Sequence, residues 1–518
     1  MAGKWLFISI LLYCIAFILL FPGYRYTLDV DATGYINAAR QLAEGNFQQG
    51  MNGFWSPLSS WILVPFIKLG IDPVLACKFI NALLGIFSLL VIHSLAGKMM
   101  MEENVRRVIL FTAIPILIYF TFFELCADFL LVFILLIYLS LVFSRDLIQN
   151  KKKIFLCALV GALAYYAKNY AFYFIAIHFA CTVLILLKGE KTWLSRSLRT
   201  FGFFLLVMLL LIVPWWIGIS NKYGGFTTGN AGRSNFAWQL LPAKEHQRIL
   251  ITAPPYPGGS SDWDDPSYRG SNKISPFSDK ETFLHELRIV GYNTKELLFI
   301  WQRFSVFSIL LLLISFYFLW IRGSTFKAER NHKIFLLFIA ILPLGYLPLI
   351  IQPRYIWTTE IGILLLAGVC ITALYTIGRI PKNWLLPLAI ITGSSFFYYP
   401  LTVLSEKKNK GKEEYNMAKA LGENKIHGKM MSNWKLPGSK SRSQVICFLN
   451  GDQCYGPGTA DFTDEEILQA IKDNHIDYYL FYFKNDTEKQ EVLNSPIWNA
   501  SSRKYDEIYP GILVVGFK

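Results

Sequence analysis

Two carboxylic acids, Asp29 and Asp31, follow the first apolar run of this chain. They open the stretch Asp29-Val-Asp-Ala-Thr-Gly-Tyr-Ile-Asn-Ala-Ala-Arg-Gln-Leu-Ala-Glu-Gly45. A carboxylate at a membrane edge can take the proton of a hydroxyl group as that hydroxyl attacks a second molecule. Behind the pair, Tyr35, Ala38, Ala39 and Leu42 recur at helical spacing. This predicts a short amphipathic helix along the membrane surface that stops at Gly45. Asp is a favoured N-cap, so Asp31 is expected to cap this helix, a role compatible with acting as a base. Asp29 is the secondary candidate, as a helper in charge balance or an ion ligand.

Other ionisable groups stand at the edges of apolar runs. Asp128 opens one, where an acid serves the helix N-terminus or a reaction. Lys168 divides the apolar stretch 153–187. An ionisable group at that depth is a functional candidate, although a lysine can also snorkel to the interface. Arg354 is near enough in sequence to pair with Glu360. Asp262, Asp264 and Asp265, around Trp263, read as a solvated turn in preference to a divalent-ion site. His246 and His285 read as solvated loop residues. No CxxC pair or His-Cys cluster suggests structural zinc. Of eight cysteines, six are membrane packing residues, such as Cys14, Cys157 and Cys370. Cys447 and Cys454 lie close together in a polar region and fit a disulfide if that region is extracytoplasmic.

The elements that must position these groups are written in the composition. Of 518 residues, 54% are hydrophobic and only 17% charged, with the charge clustered between long apolar runs. This is the pattern of a polytopic helical membrane protein. The net charge of +14 sits mostly in short loops, so the positive-inside rule accounts for it and no nucleic-acid partner is implied. Eleven spans are expected, near 5–22, 72–97, 105–122, 128–145, 153–167, 168–187, 200–219, 298–321, 333–351, 360–378 and 384–404. The first is expected to be a retained signal anchor. The short apolar run 57–71, opened by Pro57, reads as an interfacial or re-entrant helix.

Three basic loops fall on one side if the N-terminus is cytoplasmic. They hold Arg145 with Lys151, Lys152 and Lys153; Lys188, Lys191, Arg196 and Arg199; and Arg322, Lys327, Arg330 and Lys333. The first external loop (23–71), a long loop (220–297) and the tail (405–518) are then extracytoplasmic. Lys407, Lys408, Lys410 and Lys412, on that same side, are candidates for anionic headgroups or an anionic lipid acceptor. The tail reads as a separate small α/β domain. Thr463 caps a helix over 464–473, and strands are expected over 477–483 and 511–517.

Taken in order, six motifs resemble the GT-C membrane glycosyltransferases. They are the Asp-led helix, Trp55-Ser-Pro-Leu-Ser-Ser-Trp61, Phe123-Glu-Leu-Cys-Ala-Asp-Phe-Leu-Leu131, Gly161-Ala-Leu-Ala-Tyr-Tyr-Ala-Lys-Asn169, Val213-Pro-Trp-Trp through Thr-Thr-Gly-Asn230, and Pro353-Arg-Tyr355. The branch resembled is that of protein O-mannosyltransferases and the lipid A aminoarabinose transferase (glycosyltransferase families 39 and 83), over about residues 1–400. The resemblance implies an all-α polytopic GT-C fold of about 11–13 transmembrane helices over 1–404. It also implies a polyprenyl-phosphate-linked sugar donor and inverting transfer to a lipid, glycan or protein at the extracytoplasmic face of a bacterial inner membrane.

In that reading Asp31 and Asp128, with Glu124 as an alternative to Asp128, are catalytic. Asp29, Tyr35, Lys168, Lys222, Arg354 and Tyr355 bind substrate. No cofactor is required, and a divalent cation is compatible. The chain departs from the aminoarabinose branch twice. Gly34 stands where that branch has an arginine, and Trp55 where it has a lysine. Arg25, Lys222, Arg233 or Arg354 is then left to supply the phosphate charge. A glycan ligase or polymerase remains an alternative, as does a non-enzymatic transporter or flippase of lipid-linked sugar.

Overall fold

The computed structural model describes residues 2–125, 127–240, 251–268, 275–317, 329–433, 439–456 and 462–517. His246, Arg322 and Lys327 lie outside them. Among the described residues six helices are long and apolar enough to cross a membrane: Gly3–Tyr24, Pro73–Lys98, Glu103–Phe123, Trp193–Tyr223, Pro353–Thr376 and the run Lys382–Glu423. Leu58–Lys68, Ala127–Val142 and Ala171–Leu187 are apolar but shorter. Part of the gap from the expected eleven is one of length. Ala127–Val142, with 16 residues, rises about 24 Å, short of a hydrocarbon core of about 30 Å. Its apolar side chains Phe129, Leu135, Tyr138 and Leu139 are wholly buried among neighbouring helices.

Two expected spans take other forms. The stretch 298–321 is not one helix. Lys280–Phe304 bends by 103° into Ser308–Phe316. The first of these carries Glu281, Arg288, Lys295, Glu296 and Arg303, which hold it at an interface while Leu297, Ile300, Trp301 and Phe304 face the protein. His285 lies on this helix, near the Gln239 carbonyl, and is not a loop residue. The stretch 333–351 is helical only to Ile341. Pro343 cannot donate to the helix ladder, and the chain continues through a 3₁₀ turn at Leu344–Tyr346. The stretch 153–187 does break in two, at Lys168–Tyr170, between Lys151–Ala167 and Ala171–Leu187.

The tail forms a five-stranded sheet: β1 (Lys429–Ser432), β2 (Gln453–Cys454), β3 (Tyr478–Tyr482), β4 (Arg503–Tyr509) and β5 (Ile512–Gly516), in the order β2-β1-β3-β5-β4. β1 is parallel to β2 and β3, while β5 is antiparallel to β3 and β4. Both faces are covered. Leu480 and Tyr482 pack with Met417, Leu421 and Ile446, and Tyr479 and Phe481 with Ile467, Ile471 and Trp498. A strand buried on both sides reads as a continuous apolar run, which explains the Tyr-Tyr-Leu-Phe-Tyr sequence of β3. Thr463 forms the expected cap, as a capping box with Glu466.

The tail is docked rather than separate. The Cys454 N–H donates to the Ser260 carbonyl at 2.7 Å, and Thr252 bridges to Gly456. Gln444 donates to Asp262 at 2.8 Å, and Lys440 lies 3.4 Å from the same carboxylate. Cys447 and Cys454 meet in the core of this domain as free thiols, without the bond their spacing suggested.

Candidate active site

The first-loop helix is Val30–Ala43, and its N-cap is Asp29, not Asp31. The Asp29 carboxylate accepts from the Ala32 N–H at 2.8 Å and the Leu125 N–H at 3.2 Å. This assigns the cap to Asp29. The cap uses Asp29 on backbone groups, and Asp31, in the first turn, projects a carboxylate free for other partners. The helix ends as expected, with Gly45 in the left-handed region at φ +86°. It is not spread on an open membrane surface, because Tyr35, Ile36 and Ala39 are buried against Trp55, Leu63, Val445 and Phe448. The turn before Asp29 is held by Lys78, which is buried and donates to the carbonyls of Tyr24 and Thr27.

Asp31 lies between two donors. Arg354 Nη2 is 2.8 Å from Oδ2, and the Trp263 indole N–H donates to Oδ1 at 2.9 Å. The other end of the Arg354 fork reaches Glu124 at 3.2 Å, and its Nε donates to Gln352 at 2.9 Å. Arg354 therefore pairs with Asp31 and Glu124 and not with Glu360. Glu360 is fully buried, with no hydrogen bond to either carboxyl oxygen among the described residues. Next to this group, Lys168 meets Asp128 at 2.5 Å, with its ammonium 4.5 Å from the centre of the Tyr355 ring. Tyr355 stacks on Tyr346 at 5.0 Å. The break after Ala167 is what turns Lys168 inward, since the residue has extended dihedrals at the helix end.

Four carboxyl groups thus face two cations. Burial, and then the neighbouring Asp31, raises the Asp29 carboxyl above its ordinary range. Burial, and then Asp29, raises Glu124 further. Burial thus favours the neutral forms of Asp29 and Glu124, while Asp31 lies against Arg354 and Asp128 against Lys168. Among the described residues no group of three or more His, Cys, Asp or Glu is arranged to hold a metal ion.

The acids around Trp263 do not form a solvated turn. Asp262, Asp264 and Asp265 are all buried. Asp264 accepts from Asn37 at 2.9 Å and from the Ser260 N–H at 2.6 Å, with burial pushing its pKa up to about 6. Asp265 takes the Tyr223 hydroxyl at 2.6 Å and Lys222 at 3.0 Å. Lys222 also donates to the Met51 carbonyl. The ammonium proposed from sequence for a phosphate is thus engaged in holding this turn. Arg25 lies exposed over Tyr26, and Arg233 is exposed. Tyr35 packs on Trp55 at 5.0 Å, with its backbone carbonyl taking the Ser60 hydroxyl.

No family model matches the sequence, and no curated protein is similar enough to count as a relative. Solved structures are similar over the whole chain. The structure of ArnT from Cupriavidus metallidurans in the apo state has a TM-score of 0.57 at 12% identity, covering 100% of this chain and 98% of that one. ArnT bound to undecaprenyl phosphate gives 0.54 at 13%, covering 100% and 99%. The chain has the GT-C fold. With its apolar helices, it is an integral membrane protein of that architecture, carrying a small C-terminal sheet domain.

Within the GT-C frame the two sequence departures prove to be one feature. A Cβ on Gly34 would stand 2.3 Å from Trp55 Nε1, so the indole occupies the space a side chain there would need. That indole N–H donates to the Trp263 carbonyl at 2.9 Å, and the two tryptophan rings meet edge to face at 5.8 Å. Trp55 and Gly34 together seat Trp263 against Asp31. Gly34→Ala is expected to cost about 1–3 kcal/mol, as overpacking does. Thermal unfolding of the purified variant checks this.

Proposed function

We propose that this chain is an inverting glycosyltransferase. It moves a sugar from a polyprenyl-phosphate donor to a hydroxyl of a lipid, glycan or protein at the extracytoplasmic face of a bacterial inner membrane. The observation that carries the reading is the Asp31 carboxylate, fixed by Trp263 and Arg354 in a GT-C fold. The similarity to a structure bound to undecaprenyl phosphate supports a polyprenyl-lipid donor.

Asp31 takes the proton of the acceptor hydroxyl. The hydroxyl oxygen bonds to the anomeric carbon, and the bond from that carbon to phosphate breaks, its electron pair leaving with the polyprenyl phosphate. One displacement inverts the anomeric centre. Arg354 and Lys168 meet the charge that grows on the leaving phosphate. Asp128 orients Lys168, and Tyr355 forms the wall beneath both cations.

The test is transfer from a panel of polyprenyl-phosphate sugars by purified protein, with product stereochemistry read by NMR. Retention at the anomeric carbon, or no turnover of any donor, would overturn the reading.

Two outcomes follow from the site's geometry. Trp263→Phe keeps the aromatic packing but removes the donor to Asp31. A hydrogen bond to a charged group is worth about 1.5–3 kcal/mol, so kcat is expected to fall about tenfold or more with donor KM unchanged. Steady-state kinetics at saturating acceptor separate the two constants. The second outcome concerns pH. Asp29 and Glu124 have raised pKa values, so their neutral forms dominate at low pH and they ionise as pH rises. Each new carboxylate repels the donor phosphate. Donor KM is expected to climb with pH in the wild type and to climb less in Glu124→Gln. A KM–pH profile of the same slope in both proteins would exclude Glu124 as the titrating group.

A further inference from the structure

The opposite end of the helical body holds a second polar site. The Ala127–Val142 helix begins beside Asp128 in the candidate active site. Just past its last residue, Phe143 lines a cavity of about 760 Å³. At 16 residues, the helix separates the two sites by about 24 Å. Among the described residues four cations line this cavity, Lys98, Arg145, Lys153 and Arg330, together with Asn331, and no acid does.

The four are unequally satisfied. Lys98 donates to the Ser140 carbonyl at 2.5 Å and its hydroxyl at 2.8 Å. Lys153 pairs with the exposed Asp146. Arg145 and Arg330 make no hydrogen bond or ion pair among the described residues. Like charges act on one another across the cavity, Lys153 on Lys98 and Arg145 on Arg330. Asn331 donates from Nδ2 to the Lys98 carbonyl at 3.2 Å, while its buried Oδ1 has no partner among the described residues.

Topology alone asks for basic residues in the loops on this side. It does not ask that cations from separate loops converge on one cavity, two of them unneutralised. A convergence of cations against self-repulsion is relieved by an anion. The cavity falls within the roughly 300–1,000 Å³ range of small-molecule sites, and Phe143 and Met100 give it an apolar wall at the membrane boundary. We propose that it binds the phosphate of an anionic lipid headgroup from the leaflet opposite the Asp31 site. Arg145 and Arg330 supply the charge-assisted hydrogen bonds, with Lys153 beside them. The proposal is independent of the glycosyltransferase reading, because it concerns lipid binding at the other end of the bundle.

The test is thermal unfolding of the full-length protein in detergent with added phosphatidylglycerol, phosphatidylcholine or inorganic phosphate. Three proteins are compared: wild type, Arg145→Gln/Arg330→Gln, and Lys151→Gln/Lys152→Gln. The last removes equal charge from residues that do not line the cavity. Phosphatidylglycerol is expected to raise Tm in the wild type and in the lysine variant, and phosphatidylcholine is not. The arginine variant is expected to need more than about tenfold more phosphatidylglycerol for half the rise, from the loss of charged hydrogen bonds. An equal response in the arginine and lysine variants would overturn the site. A rise with inorganic phosphate matching that with phosphatidylglycerol would replace the lipid by free phosphate. If the double variant fails to accumulate, Arg145→Gln alone serves, since it removes an exposed side chain with no contact to lose.

Discussion

Asp31→Asn is expected to lower the rate of sugar transfer by about 10²–10⁴-fold, the range of a lost general base. The amide matches the carboxylate in size and can still accept from Trp263 or Arg354, but it cannot hold the acceptor's proton. The loss is therefore expected in kcat, with donor KM little changed. Its specificity comes from the neighbouring acids. Asp29 is spent on the Ala32 and Leu125 amides, and Asp128 on Lys168. Glu124 shares Arg354 with Asp31 and carries a raised pKa from burial. Burial favours the neutral form of Glu124, which accepts no proton, so Glu124→Gln is expected to stay active where Asp31→Asn does not. The reverse pattern, an active Asp31→Asn beside a dead Glu124→Gln, would move the base to Glu124.

The sequence carried Asp31 because its signal is local. An acid precedes a helical repeat, and both lie within one loop. It misjudged which acid caps the helix, since Asp29 and Asp31 differ by two positions and either could precede the apolar periodicity. The partners of Asp31 were beyond local reading. Trp263 is 232 residues away, and it stands among acids that read as a solvated turn. Only the fold shows that Asn37, Tyr223 and Gln444 take up those acids in turn.

The same limit applies to the Lys168–Asp128 pair, 40 residues apart, and to Lys222, a cation whose sequence cannot tell that Asp265 claims it. Gly34 and Trp55 each looked like the loss of a phosphate contact. Their meaning is a joint one, a large side chain seated on a missing one. The long apolar helices were legible from composition. The bend near Ser305 was not, because a hydropathy window merges the apolar end of an interfacial helix with the helix that follows it. In the tail, the capped helix and the central strands were legible, whereas β1 and β2 are too short to carry a pattern.

Arg354→Gln is expected to combine two large losses that can be separated. Removing one partner from a buried ionic group costs about 3–5 kcal/mol of stability, because the groups it bonded are left without their charged donor. Here the remaining groups are Asp31 and Glu124, whose side chains are 21% and 14% exposed. Removing a preorganised donor from a developing anionic charge lowers kcat by a further factor of about 10²–10³. The double variant Arg354→Gln/Glu124→Gln distinguishes them. It removes one orphaned carboxyl, so part of the stability is expected to return in thermal unfolding, while transfer is not. Arg354→Lys makes the complementary case. It keeps a positive charge but cannot span Asp31 and Glu124 at once, since an ammonium lacks the planar fork. Stability should then recover more than activity. If Arg354→Gln/Glu124→Gln regained activity along with stability, Arg354 would be a structural tie between the first loop and the Pro353–Thr376 helix. The phosphate charge would then fall to Lys168 alone.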